Sequence, residues 1–119
     1  MSEYKLGLVE AKFAEIIWNN EPISSSELAK ICLAELEWKK STTYTVLKRL
    51  CDRGIFVNNN GFVSSLISKK DFYALQSEEV VNDSFSGSLP AFVAAFSSRK
   101  KLSDEEINQL QDMINKMRG

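Results

Sequence analysis

The chain has 119 residues, of which 44% are hydrophobic and 26% charged, with a net charge of −1, two cysteines and no histidine. Length and composition predict one ordinary globular domain or two very small ones, and at this size a chain with two lobes is expected to complete its core in an oligomer. No apolar run approaches the ~20 residues of a membrane helix, and MSEYKLGLVEAKF lacks the basic opening and apolar block of a signal peptide. The expected protein is therefore cytoplasmic, without membrane insertion. Two thiols without histidine cannot complete a zinc site of four cysteines, or of two cysteines and two histidines, and the commonest general base is missing. With no nucleophile–base pair and no phosphate loop, the expectation is a non-enzyme with no metal and no cofactor.

The first predicted helix covers residues 8–18, where Val9, Phe13, Ile16 and Ile17 fall at helical spacing. Asn19-Asn20-Glu21-Pro22 breaks it. A second helix opens with Ser24 as cap and Glu27 three residues on, the pattern of a capping box, with Ile23 and Leu28 placed as a hydrophobic staple. Leu28, Ile31, Cys32 and Leu36 continue its stripe, and the helix is expected to end near Glu37. A third helix is expected from Thr42 to Arg53, with Ser41 able to cap it and Gly54 as its stop. With Thr43 set at 0°, Val46, Leu47 and Leu50 fall at about 300°, 40° and 340°, one buried face, while Ser41, Thr45, Lys48 and Asp52 fall between about 140° and 200°, opposite it.

Asn58-Asn59-Asn60-Gly61 lies between Ile55-Phe56-Val57 and Phe62-Val63, a strong β-hairpin signal whose second strand can run to Ile67. A fourth helix is expected over 69–83 through Phe72, Leu75 and Val80, then a linker at 84–88. Residues 90–97 form a short helix, apolar nearly all round, with Pro90 in its first turn. The last helix starts with a second box, Ser103 and Glu106, stapled by Leu102 and Ile107. Along it Ile107, Leu110, Ile114 and Met117 recur every three or four residues, close to an a/d seam. Together with Phe92, Val93 and Phe96 they form the candidate dimerisation surface.

The charge is unevenly spread. Residues 39–53 hold Lys39, Lys40, Lys48, Arg49 and Arg53 against Asp52 alone, a local +4 that leaves −5 on the rest. A local basic patch is the relevant footprint for nucleic acid. Three helices, a hairpin and a basic-polar face on the third helix describe a winged helix-turn-helix, which lays that helix in the DNA major groove and can touch the backbone with its wing. The candidate DNA-binding residues are Lys40, Ser41, Thr42, Tyr44, Thr45, Lys48 and Arg49. The short hydroxyls reach phosphates or base edges, Lys48 and Arg49 neutralise phosphates, and Tyr44 packs on a thymine methyl or bonds a phosphate. A solvated helix face explains the same charges about equally well. Threonine is a mediocre helix former, so its abundance at the start of this helix points to a side-chain role or to capping. Cys32 and Cys51 read as small core hydrophobes before any redox role, Trp38 as a packing residue before a DNA contact, and Lys69-Lys70 as a solvated helix start before a backbone clamp.

With these elements in place, the chain resembles the penicillinase-repressor family of winged-helix regulators (the BlaI/MecI/CopY group) over nearly its whole length. In WKKSTTYTVLKRLCDRG, residues 38–54, Trp38, Thr42, Thr45, Arg49, Leu50, Arg53 and Gly54 fall on the family's recognition-helix pattern. Ile16-Ile17-Trp18 matches the end of its first helix. GSLPAFVAAF at 87–96, followed by Leu102-Ser103 and an acidic helix start, resembles its C-terminal dimerisation region. The resemblance implies a mainly α fold, with a winged-helix DNA-binding domain at 1–70 and a helical dimerisation domain at 71–119. It further implies a transcriptional repressor that binds a palindromic double-stranded DNA operator as a homodimer. In the β-lactam branch, linked to antibiotic resistance, the partner is a membrane sensor with a metalloprotease domain, and the matching cleavage bond here is Ala95–Phe96. The family often has Asn before that Phe, and often opens the recognition helix with Ser-Pro where this chain has Lys39-Lys40. The Cys-x-Cys pairs of the copper-responsive branch are not in the sequence. The competing function is a winged helix used as a protein-interaction adaptor, without sequence-specific DNA binding. Such an adaptor is expected to show an apolar patch at 41–49, where this chain has Ser, Thr, Lys and Arg.

Overall fold

The computed structural model describes residues 4–119. The chain divides into two compact units, 1–79 and 80–119. The first holds α1 (Leu8–Asn20), β1 (Ile23–Ser24), α2 (Ser25–Leu36), α3 (Lys40–Asp52), β2 (Phe56–Asn59) and β3 (Phe62–Ser65). Then come α4 (Lys69–Phe85), within which the division falls, α5 (Leu89–Arg99) and α6 (Asp104–Met117). Helices with a small antiparallel sheet of order β1-β3-β2 make this a winged helix followed by C-terminal helices.

The first unit is built around one cluster: Phe13 and Ile17 from α1, Leu28 and Cys32 from α2, Val46, Leu47 and Leu50 from α3, Ile55, Phe56 and Val63 around the hairpin, and Phe72 from α4. The buried residues of α3 are Thr43, Val46, Leu47 and Leu50, the face that helical spacing predicts. Val9 shares the inward face of α1 but lies in its first turn, ahead of the first buried residue, Phe13, and stays half exposed. Trp18 closes the bottom of the core, with its ring against Phe56 and Phe72 at 5.4 and 5.6 Å and its indole N–H donating to the Ile67 carbonyl at 3.1 Å. Trp38 packs on Phe13 at 5.3 Å, the packing role expected of it.

The wing is a two-residue hairpin. Asn59 pairs with Phe62, and Asn60 and Gly61 between them have φ of 54° and 87°. Both central residues are left-handed, the type I′ geometry for which Asn-Gly is suited. The second strand stops at Ser65, because the N–H groups of Leu66 and Ile67 both turn to the Ile55 carbonyl. Its base is fixed by Glu21, whose Oε1 accepts from the Ser65 N–H at 2.8 Å and hydroxyl at 2.7 Å. The strand β1 is an addition to the expected elements. Ile23 and Ser24 pair with Val63 and Phe62, and two residues are too short a run for any alternation to be visible.

Ser24 caps α2, accepting from the Glu27 N–H at 3.1 Å, and Glu37 ends it in the left-handed conformation. The helix α3 begins two residues before Thr42, so Ser41 sits inside its first turn rather than at its cap. The helix α4 runs two residues past 83 and ends where Ser86 and Gly87 turn left-handed, with the Gly87 N–H donating to the Val81 carbonyl at 3.0 Å. In the second unit, Ser88 and Ser103 cap α5 and α6, and the Ser103–Glu106 box is complete in both directions. No residue of α5 or α6 is buried. None of the described helices is long and apolar enough to cross a membrane.

One buried group is ill-served. The Thr43 hydroxyl has no hydrogen-bond partner of ordinary geometry and is wholly buried. Its neighbour is the Cys32 thiol, a weak partner, which burial pushes up from its usual range, Thr43 offsetting a part and Glu35 adding to the rise. A buried unsatisfied hydroxyl is costly, and valine has the same branched shape without it. Thr43→Val is therefore expected to raise the unfolding free energy by about 1 kcal/mol, read from urea denaturation. A loss of similar size would show that the hydroxyl is bonded after all.

Candidate nucleic-acid interface

The outward face of α3 is polar and basic. Ser41, Thr42, Thr45, Lys48 and Arg49 are exposed, with Lys39 and Lys40 ahead of them, and Tyr44 is half-buried. All seven sequence-predicted residues thus lie on one helix and on one exposed side or its flanks. The N-terminus of α3 is bare. Its first helical bond runs from the Thr43 N–H to the Lys39 carbonyl at 3.1 Å, no side chain caps it, and its first turn holds no acidic residue. The backbone N–H groups of Lys40, Ser41 and Thr42 therefore face outward, beside two ammonium groups. By contrast, α2, α4, α5 and α6 each carry a serine cap: Ser24, Ser68, Ser88 and Ser103.

Several of these side chains already have partners within the chain. The Lys40 ammonium sits 5.7 Å from the centre of the Tyr44 ring, a cation–π contact that holds both at the head of the helix. The Thr45 hydroxyl donates to the Ser41 carbonyl at 2.9 Å, so what it offers outward is its lone pairs and methyl group. Lys48 pairs with Asp52 one turn on, at 3.1 Å, with both side chains largely exposed; such a pair is worth a few tenths of a kcal/mol and yields readily to a phosphate. Arg49 donates to Glu10 of α1 at 3.3 Å, and Arg53 to the Lys5 carbonyl at 2.8 Å. The Lys48–Asp52 pair is readable from i,i+4 spacing. The Arg49–Glu10 pair, 39 residues apart, has no sequence signal.

Beside α3, a groove of about 400 Å³ lies between the helix and β2, lined by Tyr44, Lys48, Cys51, Asn58 and Leu66 among others. Burial, then the Asp52 charge, raises the Cys51 thiol above its usual range, against a smaller lowering by the Asn58 backbone. Both cysteines are free and both are held in the protonated form, the setting of inert packing thiols. The hairpin itself carries no charge from Phe56 to Ser65, its tip is Asn59-Asn60-Gly61, and Phe62 beside it is 58% exposed.

In the second unit the structure leaves two apolar stripes uncovered. One is Leu89, Val93 and Phe96 on α5, with half-buried Phe92 held edge-on against Phe85 at 5.5 Å. The other is Ile107, Leu110, Met113, Ile114 and Met117 on α6. Leu89 and Met113 are absent from the sequence-predicted surface; Met113 lies three residues after Leu110, at the edge of the a/d seam. Between the two helices lies a groove of about 320 Å³ lined by Phe92, Val93, Phe96, Leu102, Leu110 and Met113. The Ala95–Phe96 bond lies inside α5. The Ala95 carbonyl accepts from the Ser98 hydroxyl at 2.7 Å, and the Phe96 carbonyl from the Lys100 N–H at 3.1 Å.

Comparison with known proteins identifies the family. The family model described as "Penicillinase repressor" matches residues 6–116. The methicillin resistance regulatory protein MecI of Staphylococcus aureus strain Mu50 is 26% identical over 117 residues, covering 95% of both chains. The penicillinase repressor of Bacillus licheniformis is 28% identical over 109 residues, covering 88% of this chain and 85% of its own. MecI of Mammaliicoccus sciuri is 25% identical over 117 residues, again covering 95% of both. The matched span takes in the helix-turn-helix, the wing and the C-terminal helices together, and the chain belongs to the penicillinase-repressor family, a family of transcriptional repressors and not of enzymes.

Proposed function

We propose that this repressor binds a palindromic double-stranded DNA operator, sequence-specifically and as a homodimer, with α3 as the reading helix. The observation that carries the proposal is the bare start of α3. A solvent-facing helix gains about 1 kcal/mol from a serine or aspartate cap, and four other helices of this chain take that gain. At α3 the place is held by Lys39 and Lys40, ahead of unpaired backbone N–H groups. A phosphate oxygen is the partner that such an end accepts. Behind it, Ser41, Thr42, Tyr44 and Thr45 stand at the leading end of the helix, where this docking mode makes base contacts. Lys48 and Arg49 follow along the helix as phosphate-neutralising cations.

The division of labour in this reading is a winged-helix domain that reads DNA and C-terminal helices that pair the two chains. The apolar stripes of α5 and α6 support the second part, because side chains such as Ile114 (50% exposed) and Met117 (78% exposed) recur along one face and need a cover. Phe92, Val93, Phe96, Ile107, Leu110, Ile114 and Met117 form that face. Relief of repression by a membrane metalloprotease sensor falls, in the same reading, on Ala95–Phe96. A protease takes its substrate as an extended strand, so the last turns of α5 have to open before such a cut. The polar face at 41–49 stands against the adaptor alternative.

The test is selection of bound duplexes from a randomised pool by the full-length chain, with light scattering at tens of micromolar. The expected results are an inverted repeat whose half-sites lie about 10–10.5 bp apart, or a multiple of that, and a mass of twice 13.5 kDa. A monomer in solution together with no enriched duplex would overturn the proposal.

A further inference from the structure

The geometry points to Glu10 as a positioning residue for DNA recognition: it holds the Arg49 guanidinium at a fixed place on the flank of α3, so that Arg49 meets DNA as an oriented donor and not as a free cation. The inference rests on the reading of α3 as the DNA-reading helix. Arg49 lies at about 240° on the helix, between the exposed and the buried faces, and from there it can reach either DNA or the protein's own surface. The structure gives it a protein partner, Glu10 Oε2, at 3.3 Å.

Glu10 is not an ordinary surface carboxylate. Its side chain is 23% exposed against 56% for Arg49. Its other oxygen accepts from the Gly7 N–H at 3.0 Å and closes the start of α1. The carboxylate is thus fixed by its own helix before it meets the arginine. One of the five guanidinium N–H groups is held, and four stay available. About one turn further on, at the C-cap of α3, Arg53 donates to the Lys5 carbonyl at 2.8 Å. Two rungs therefore tie the segment 5–10 to the same flank of the reading helix. An ion pair this exposed contributes little to folding. What it does is remove rotamer freedom from a long side chain before DNA arrives, and preorganisation of that kind tightens binding by lowering the entropy lost on association.

The sign of one substitution separates this from a bystander role. A carboxylate near DNA repels phosphate, so removing its charge should tighten binding to every sequence alike if Glu10 does nothing else. A positioning residue behaves in the opposite way on the cognate site alone. Glu10→Gln keeps an acceptor for the Gly7 N–H and loses the charge that holds Arg49. Full-length wild type, Glu10→Gln, Arg49→Ala, Arg49→Lys and the Glu10→Gln/Arg49→Ala double variant are titrated with the duplex that wild type selects and with a random duplex of equal length. Glu10→Gln is expected to weaken binding to the selected duplex about 3- to 10-fold, to leave random DNA unchanged or tighter, and to have no effect in the Arg49→Ala background. Arg49→Lys keeps the charge without the fork and is expected to lose the same selectivity; it does not touch the α1 start, so it carries the test if Glu10→Gln lowers the melting temperature. Equal tightening of both duplexes by Glu10→Gln, or an effect that persists without Arg49, would overturn the inference while leaving the DNA reading intact. A wild type that prefers no duplex removes both.

Discussion

A chain truncated after residue 83 is expected to stay folded and to bind its operator about 10²- to 10⁴-fold more weakly than the full chain. The buried cluster runs from Phe13 to Phe72, with Tyr73 packed against it, all ahead of the cut, so the winged helix keeps its core. What is lost is α5 and α6, which carry the uncovered apolar stripes. Two half-site contacts joined in one dimer act at the effective concentration their linkage sets, whereas separate monomers bind one by one. Fluorescence anisotropy with the selected duplex, beside a melting curve, measures both halves of the expectation. Equal affinity for the truncated and full chains would contradict the assignment of dimerisation to the C-terminal helices.

The largest effect on stability is expected at Phe72. This side chain comes from the first turns of α4 yet is wholly buried in the winged-helix core. Its ring meets Trp18 at 5.6 Å, Tyr73 at 5.3 Å and Tyr4 at 5.9 Å, the last two edge-on. Phe72→Ala removes this plug and leaves a cavity among aromatic rings that cannot collapse into it, at an expected cost of about 3–5 kcal/mol. A domain of this size holds only about 5–15 kcal/mol in total, so the variant should be close to unfolding at physiological temperature. Urea denaturation decides it, and a loss under about 1 kcal/mol would mean that α4 is not part of this core.

Periodicity makes the buried face of α3 readable to the residue, because the four inward positions of one amphipathic helix obey a single angle. The Asn60-Gly61 turn is equally legible, since two left-handed residues in succession leave few alternatives. The serine caps of α2 and α6 follow from local chemistry for the same reason. What the sequence hides depends on distance along the chain. The strand β1 is only two residues long and exists because β3 offers it an edge. The clamp of Glu21 on Ser65 and the pair of Glu10 with Arg49 join residues about forty apart, where spacing carries no information. The helix α3 starts two residues earlier than expected because Lys39-Lys40 looks like a poor helix opening; that same poor opening, an uncapped end flanked by cations, is the main support for the DNA reading. On α6 the apolar stripe is wider than the strict a/d seam, and Met113 sits at its edge, outside the repeat that spacing alone picks out.

The most direct test of α3 as a DNA reader is a salt titration of affinity for Lys48→Ala and Thr45→Ala, each with the selected duplex and a random duplex. Lys48 exchanges Asp52 for a phosphate in this account, so its loss should weaken binding to both duplexes alike. Each dimer then neutralises two fewer phosphates, and the slope of log K against log salt should fall by about 1.8. Thr45 has its donor committed to the Ser41 carbonyl and reads through its lone pairs or methyl group, so Thr45→Ala should lower the preference for the selected duplex by about 1–3 kcal/mol per half-site and leave the slope unchanged. Neither side chain is buried, and melting curves should agree with wild type within about 0.5 kcal/mol. If both variants stay folded and bind both duplexes as wild type does at every salt concentration, α3 is not the reading helix, and the adaptor reading takes its place.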